Sequence, residues 1–349
     1  MVLTRYILQA LRDAALGCGH EPVPFAKDWS DQDWTRFIEH ARHHRVAPLL
    51  AHRILHGALP RPPDPFAHLL QKELHATRLR HVAAERALQD ITDALEKQGL
   101  KHVCLKGPPL ADEAYETSGL RAFDDLDVLI ERDAVPAAGR ALRGLGYVPA
   151  PKSLPLWLVK RYHFHSQWAH PQTGQIVELH WRPADSGALP RSDPPIAYVR
   201  DLLDDPAAMP VYLAVHLSKH AVARPLWIRH HLDPLLALHP WSGIRLIWLV
   251  DYQGLCAGRG LTRNDLMDVA ERWCCRAALD FTDYLLGSPP TEHARPLPRY
   301  SMHAALLHRF EKDLNRTELL SRAPWWLNAH ARTGFRPIRL LDTLLPKNT

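Results

Sequence analysis

At 349 residues the chain is long enough to bury a sizeable core without disulfides or a structural metal, and its 46% apolar and 23% charged residues exclude a disordered or fibrous chain. Lys and Arg outnumber Asp and Glu by 43 to 38, a surplus scattered without any basic run, so nucleic acid is permitted as a partner but not indicated. Five cysteines without C-x-x-C spacing argue against zinc or a redox pair and fit a reducing cytoplasm, and no stretch reaches the roughly 18 uninterrupted apolar residues of a membrane span.

The first part of the chain, 1–99, reads as a helical region. MVLTRYILQALRDAAL sets apolar residues at helical spacing among Arg and Asp, which predicts a mature amphipathic helix near 2–16 and not a secretory signal. A second helix is predicted over 31–56, with His43 and His44 on its polar face. A long third helix is predicted over about 64–98, where Leu70, Leu74, Ala84, Leu88, Ile91 and Leu95 recur at steps of three and four. The Pro-rich LPRPPDP between them is a break.

A core containing the sheet is predicted over 100–190. LKHVCLKG has the composition of a strand running into a Gly-Pro turn, PLADEAYETSG that of a short helix, and DLDVLI that of a buried strand. A helix from about Asp133 to Leu145 follows, then GYVPA, YHFHSQWAH and IVELHWRP as strands, the last two a hairpin around PQTG. From 191 to 349 helical patterns return, and no further strand is expected. Trp227, Trp241, Trp248 and Trp273 sit in apolar helical patterns and read as core, whereas Trp325 and Trp326 belong to an irregular or docking tail.

Within this order lies a set of residues with a chemistry. Asp125 and Asp127 are two apart on a strand, so both carboxylates project from one face. Paired carboxylates suit a hard divalent cation, and magnesium takes one or two of them together with phosphate oxygens and water. An isolated D-x-D is more often a solvated strand end. Here, however, Gly107 ends the preceding strand just before Pro108 and a helix, a place where backbone can approach a phosphate, with Lys106 beside it. Glu178, in QIVELHW, would face the aspartates if its strand pairs with theirs, and His180 would share that face. His163 and His165 alternate on another strand and could line the site, although edge-strand histidines without function are commoner.

LKGPPLADEAYETSGLRAFDDLDVLI followed by VELHWRP resembles the nucleotidyltransferase-fold superfamily, and specifically its little-characterised bacterial branch, nucleotidyltransferase family 5. Lys106, Gly107, Tyr115, Arg121, Asp125, Asp127, Glu178, His180 and Trp181 match that branch's motifs in order, and VYLAVHLSKHAV and RLIWLVDYQGL resemble its later helices. The resemblance implies an α+β fold in which a small mixed nucleotidyltransferase-type sheet is flanked by N-terminal and C-terminal helical regions, with nucleotide between sheet and C-terminal helices. It implies Asp125, Asp127 and Glu178 as catalytic residues and Mg2+ ligands. Lys106, Gly107, Arg121 and Lys219 become the nucleotide-binding candidates. The expected reaction moves a nucleoside monophosphate from a nucleoside triphosphate to an acceptor hydroxyl on a small molecule, a peptide or protein, or an RNA end. The superfamily usually has Gly-Ser or Gly-Gly at the first turn, whereas this chain has Gly107-Pro108, a departure that leaves open a catalytically weak nucleotide-binding or scaffold protein. His216 with His220, and Asp251 with Arg245, are expected to be structural.

Overall fold

The computed structural model describes residues 2–17, 29–150, 164–184, 196–222 and 244–287, with the side chains of 2–7, 219, 221 and 222 excepted. His163, Trp227, Trp241, Trp325 and Trp326 and the side chain of Lys219 therefore lie outside the described residues. The chain divides into two compact units, one made of Met1–Pro183, Ala197–Pro210 and Arg245–Thr262, the other of Ala184–Ile196, Val211–Ile244 and Arg263–Thr349.

In the first unit, helix α1 (Val2–Leu16) precedes α2 (Asp31–His43), α3 (Ala47–Leu55) and α4 (Asp64–Glu96). The start of α2 is fixed by a capping box in which Ser30 and Asp33 satisfy each other's backbone N–H. The single helix expected over 31–56 is broken, for a reason written in Pro48. In a continuous helix its ring would strike the carbonyl of His44, four residues earlier, and it has no N–H to offer that carbonyl. The chain instead turns at Arg45, which is left-handed at φ 59°, and α3 restarts with Pro48 in its first turn.

Strand β1 (His102–Cys104), helix α5 (Pro108–Ala114), strand β2 (Asp125–Ile130), a 3-10 turn (Arg132–Ala134), helix α6 (Val135–Gly144), and strands β3 (Val148–Pro149), β4 (His165–Ala169) and β5 (Ile176–His180) follow. The sheet order is β1-β2-β5-β4-β3, with β2 and β5 parallel and the other neighbours antiparallel. The fold is thus α+β with a small mixed sheet. β5 is its central strand, so Glu178 does not lie on an edge, and β3 covers β4 only at Trp168 and Ala169.

Alternation along the strands decides which face is dry. Leu126, Val128 and Ile130 of β2, Val177 and Leu179 of β5 and Trp168 of β4 form one core with Ala84, Leu88, Ile91 and Leu95 of α4 and with Val135, Ala138, Ala141 and Leu142 of α6. Each buried aliphatic side chain contributes about 1.5–3 kcal/mol relative to exposure. Asp125, Asp127 and Glu178 are consequently carried on the other face. Helix α7 (Tyr198–Asp204) and α9 (Leu246–Gly258) belong to the same unit. α9 approaches α5 so closely that a Cβ at Gly254 would lie 2.2 Å from the Ala114 carbonyl oxygen.

The second unit holds most of α8 (Ala208–Val222) together with α10 (Arg263–Arg272) and α11 (Arg276–Leu286). Trp273 is fully buried there, as its apolar context predicts, and Arg263 pairs with Asp280 and Asp283. Among the described residues no strand follows His180, and no helix is long and apolar enough to cross a membrane.

Candidate active site

Parallel pairing of β2 with β5 sets Asp127 opposite Glu178 and Asp125 opposite Ile176. The carboxylate oxygens of Asp125, Asp127 and Glu178 come within 4.8 Å of one another, a spacing able to hold a metal ion. The preceding turn is tied to the same strand, because the Leu105 N–H donates to the Asp127 carbonyl at 2.8 Å. Gly107 then takes φ 85° and ψ −147°, and a Cβ there would press on Leu126 Cδ2 at 3.2 Å, so only glycine suits this position. Pro108 and Pro109 occupy the first turn of α5, which accordingly offers no amide from either residue.

Opposite charges reach Asp127 from two sides. Lys106 Nζ lies 3.0 Å from Oδ2, and His180 Nε2 donates to Oδ1 at 2.9 Å while also facing Glu178 Oε2 at 3.3 Å. Burial alone would raise the Asp127 pKa, but Lys106 and His180 win and hold it far below the usual carboxylate range. Glu178 behaves similarly: burial opposes ionisation, and His180 and His165, the latter 3.7 Å away, bring its pKa below normal. His180 is raised, since its bonds to Asp127 and Glu178 outweigh burial. Asp125 has no such compensation. Burial and the charges of Asp127 and Glu178 lift it from 3.8 to about 6, against a smaller pull from Lys106. Burial and like charges thus leave Asp125 reluctant to ionise, and the donors this face offers a cation are hard oxygens.

Arg121 does not join these carboxylates in a direct pair. It is buried and grips Asp251 of α9 through Nε–Oδ1 at 2.9 Å and Nη2–Oδ2 at 2.8 Å, while Tyr115 donates to the same Oδ1 at 2.7 Å. Asp251 keeps Arg121 protonated despite burial and helps to raise Tyr115. The partners of Asp251 are thus two motif residues rather than the Arg245 expected from the sequence, and together they lock the loop before β2 to α9. His216 and His220 meet edge to face at 4.7 Å within α8, and among the described residues no third ligand joins them.

Two residues of this face have no motif to mark them. Arg45, at the left-handed turn, pairs with Asp124, immediately before Asp125. His44, expected on a polar face, is fully buried and caps α9: its Nδ1 accepts from Leu246 N and its carbonyl from Ile247 N, both at 3.2 Å. That docking brings Arg245, the residue before α9, to the same corner. Burial and the nearby Arg45 charge depress the Arg245 pKa, with Asp124 and Asp125 opposing. The only signal in sequence is Pro48, which predicts a break near 44 but not what the break touches.

The sheet thus carries two strand aspartates and a third carboxylate on the neighbouring strand, behind a glycine turn. Residues 30–287 match the family described as uncharacterised nucleotidyltransferase, and the chain belongs to that family. No curated protein and no solved structure matches it.

Proposed function

We propose that the protein moves a nucleoside monophosphate from a nucleoside triphosphate to an acceptor hydroxyl, releasing pyrophosphate, with Asp125, Asp127 and Glu178 as its metal ligands. The observation that carries this reading is the register Asp127 opposite Glu178 on parallel neighbours, which gathers three carboxylates around one point. Hard oxygen donors and a carboxylate held near pKa 6 by burial and like charges fit magnesium. When bound, magnesium would neutralise the developing charge on phosphate oxygens and lower the pKa of the attacking hydroxyl.

The chain's own groups supply the positioning. Lys106 is close enough to Asp127 to exchange that carboxylate for a phosphate oxygen. Arg45 and Arg245, two guanidinium groups near Asp124, give the triphosphate a place to neutralise them both, a fork suited to phosphate. Gly107 keeps the turn narrow. Arg121 retains one buried nitrogen, Nη1, without a hydrogen-bond partner, and its role toward nucleotide rests on that atom. Lys219 stays a candidate from resemblance alone. The acceptor is a small molecule, a peptide or protein side chain, or an RNA end.

The test uses triphosphate labelled on its α-phosphorus. With magnesium, wild type should label an acceptor or itself and Asp127→Ala should not; equal labelling by both proteins contradicts the assignment. A second reading, nucleotide binding without turnover, is favoured by Pro108 and Pro109, which remove two amides from the phosphate turn. Magnesium-dependent triphosphate binding with no transfer across a broad acceptor panel would select it.

A further inference from the structure

A second cluster lies away from the three carboxylates, between α4 and α5. His81 and Glu85 are one turn apart on α4 and so share a face, and Asp112 reaches them from α5. His81 Nε2 lies 3.3 Å from Asp112 Oδ1 and 3.5 Å from Glu85 Oε1. His81 is only 2% exposed, yet neither of its ring nitrogens makes a hydrogen bond, whereas the two carboxylates remain open to solvent. A buried imidazole aimed at two carboxylates without bonding either is costly as a purely structural arrangement.

The spacing has another explanation. Ligands about 2.0–2.1 Å from a tetrahedral zinc ion lie about 3.3 Å from one another, which is close to both distances measured from His81 Nε2. One donor atom from each of the three residues lies within 4.8 Å of the others. Ser118 donates to Asp112 Oδ1 at 2.6 Å, the kind of outer bond that orients a ligating carboxylate. We infer that His81, Glu85 and Asp112 bind a divalent transition metal of the zinc class, with solvent completing its coordination. The imidazole selects zinc over magnesium, which prefers oxygen alone. The metal clamps α5 to α4 and thereby steadies the helix that follows Gly107, an effect independent of the transfer reaction.

The experiment titrates zinc into chelator-treated full-length protein by calorimetry, with metal content and thermal midpoint measured in parallel. Wild type should bind one zinc equivalent more than the double variant Glu85→Gln/Asp112→Asn, which also loses the accompanying rise in melting temperature, and Asp127→Asn should retain that equivalent. Both changed carboxylates are solvent-exposed, so that variant should fold; His81→Gln gives the same loss if it folds. Zinc bound equally by wild type and the double variant, or no zinc bound by wild type, would overturn the inference and leave a buried histidine between two acids.

Discussion

The two faces of the Asp125–Ile130 strand differ in how fully their neighbours satisfy them. On one, Leu126, Val128 and Ile130 meet α4 and α6 in a closed apolar core. On the other, Lys106 and His180 satisfy Asp127, but Asp125 is left buried among like charges, and both burial and those charges raise its pKa to about 6. The first face gives stability and asks for nothing more. The second holds electrostatic strain that a cation and a polyphosphate would relieve, and such unrelieved strain is expected where a protein works on a ligand.

The comparison can be broken from either side. Leu126→Ala should cost about 2–5 kcal/mol in denaturant unfolding, through lost burial and the cavity it leaves, with metal affinity changed little in the protein that remains folded. A loss of metal binding at unchanged stability would reverse the roles assigned to the faces. Arg45→Ala and Arg245→Ala should each weaken triphosphate binding about tenfold, the loss of one charge-assisted contact, while thermal midpoints stay close to wild type. Unchanged affinity in both would remove that corner from the site.

Asp125→Asn sharpens the contrast through pH. An aspartate whose folded pKa is about 6 and whose ordinary value is 3.8 leaves the folded protein holding the extra proton between those values. Stability therefore falls as pH rises through that window and stays lowered above it. Asp127 and Glu178, held below their ordinary values, act in the opposite sense: their contribution is present above those values and lost on acidification. In metal-free buffer at pH 8, Asp125→Asn should melt above wild type, and the difference should shrink toward pH 4. A constant difference would contradict the charge assignment. The smallest effect is expected at Tyr115→Phe, about 1 kcal/mol, because Arg121 still holds Asp251.

How much of this is legible in the sequence depends on distance along the chain. Period-two alternation in DLDVLI is enough to separate the two faces of β2, and the short PQTG turn makes β4 and β5 a hairpin. The parallel pairing of β2 with β5 stays conditional in sequence, since nothing local sets which of the five strands becomes central. His44, Arg45 and Arg245 are out of reach: Leu246 N and His44 Nδ1 are joined across 202 positions, and no periodicity spans such a gap. Arg121 marks the limit of a motif match, which says that an arginine belongs there without saying which carboxylate it grips. The bidentate bond to Asp251 depends on α9 packing at Gly254, a contact made only by the folded chain.

The most direct test of the central claim is a crystal soaked with manganese, as an anomalous substitute for magnesium, and a non-hydrolysable nucleoside triphosphate. The account predicts a manganese peak coordinated by Asp125, Asp127 and Glu178, with the triphosphate extending toward Lys106 and the Arg45–Arg245 corner. Triphosphate bound elsewhere, or a metal that avoids these three carboxylates, would contradict it.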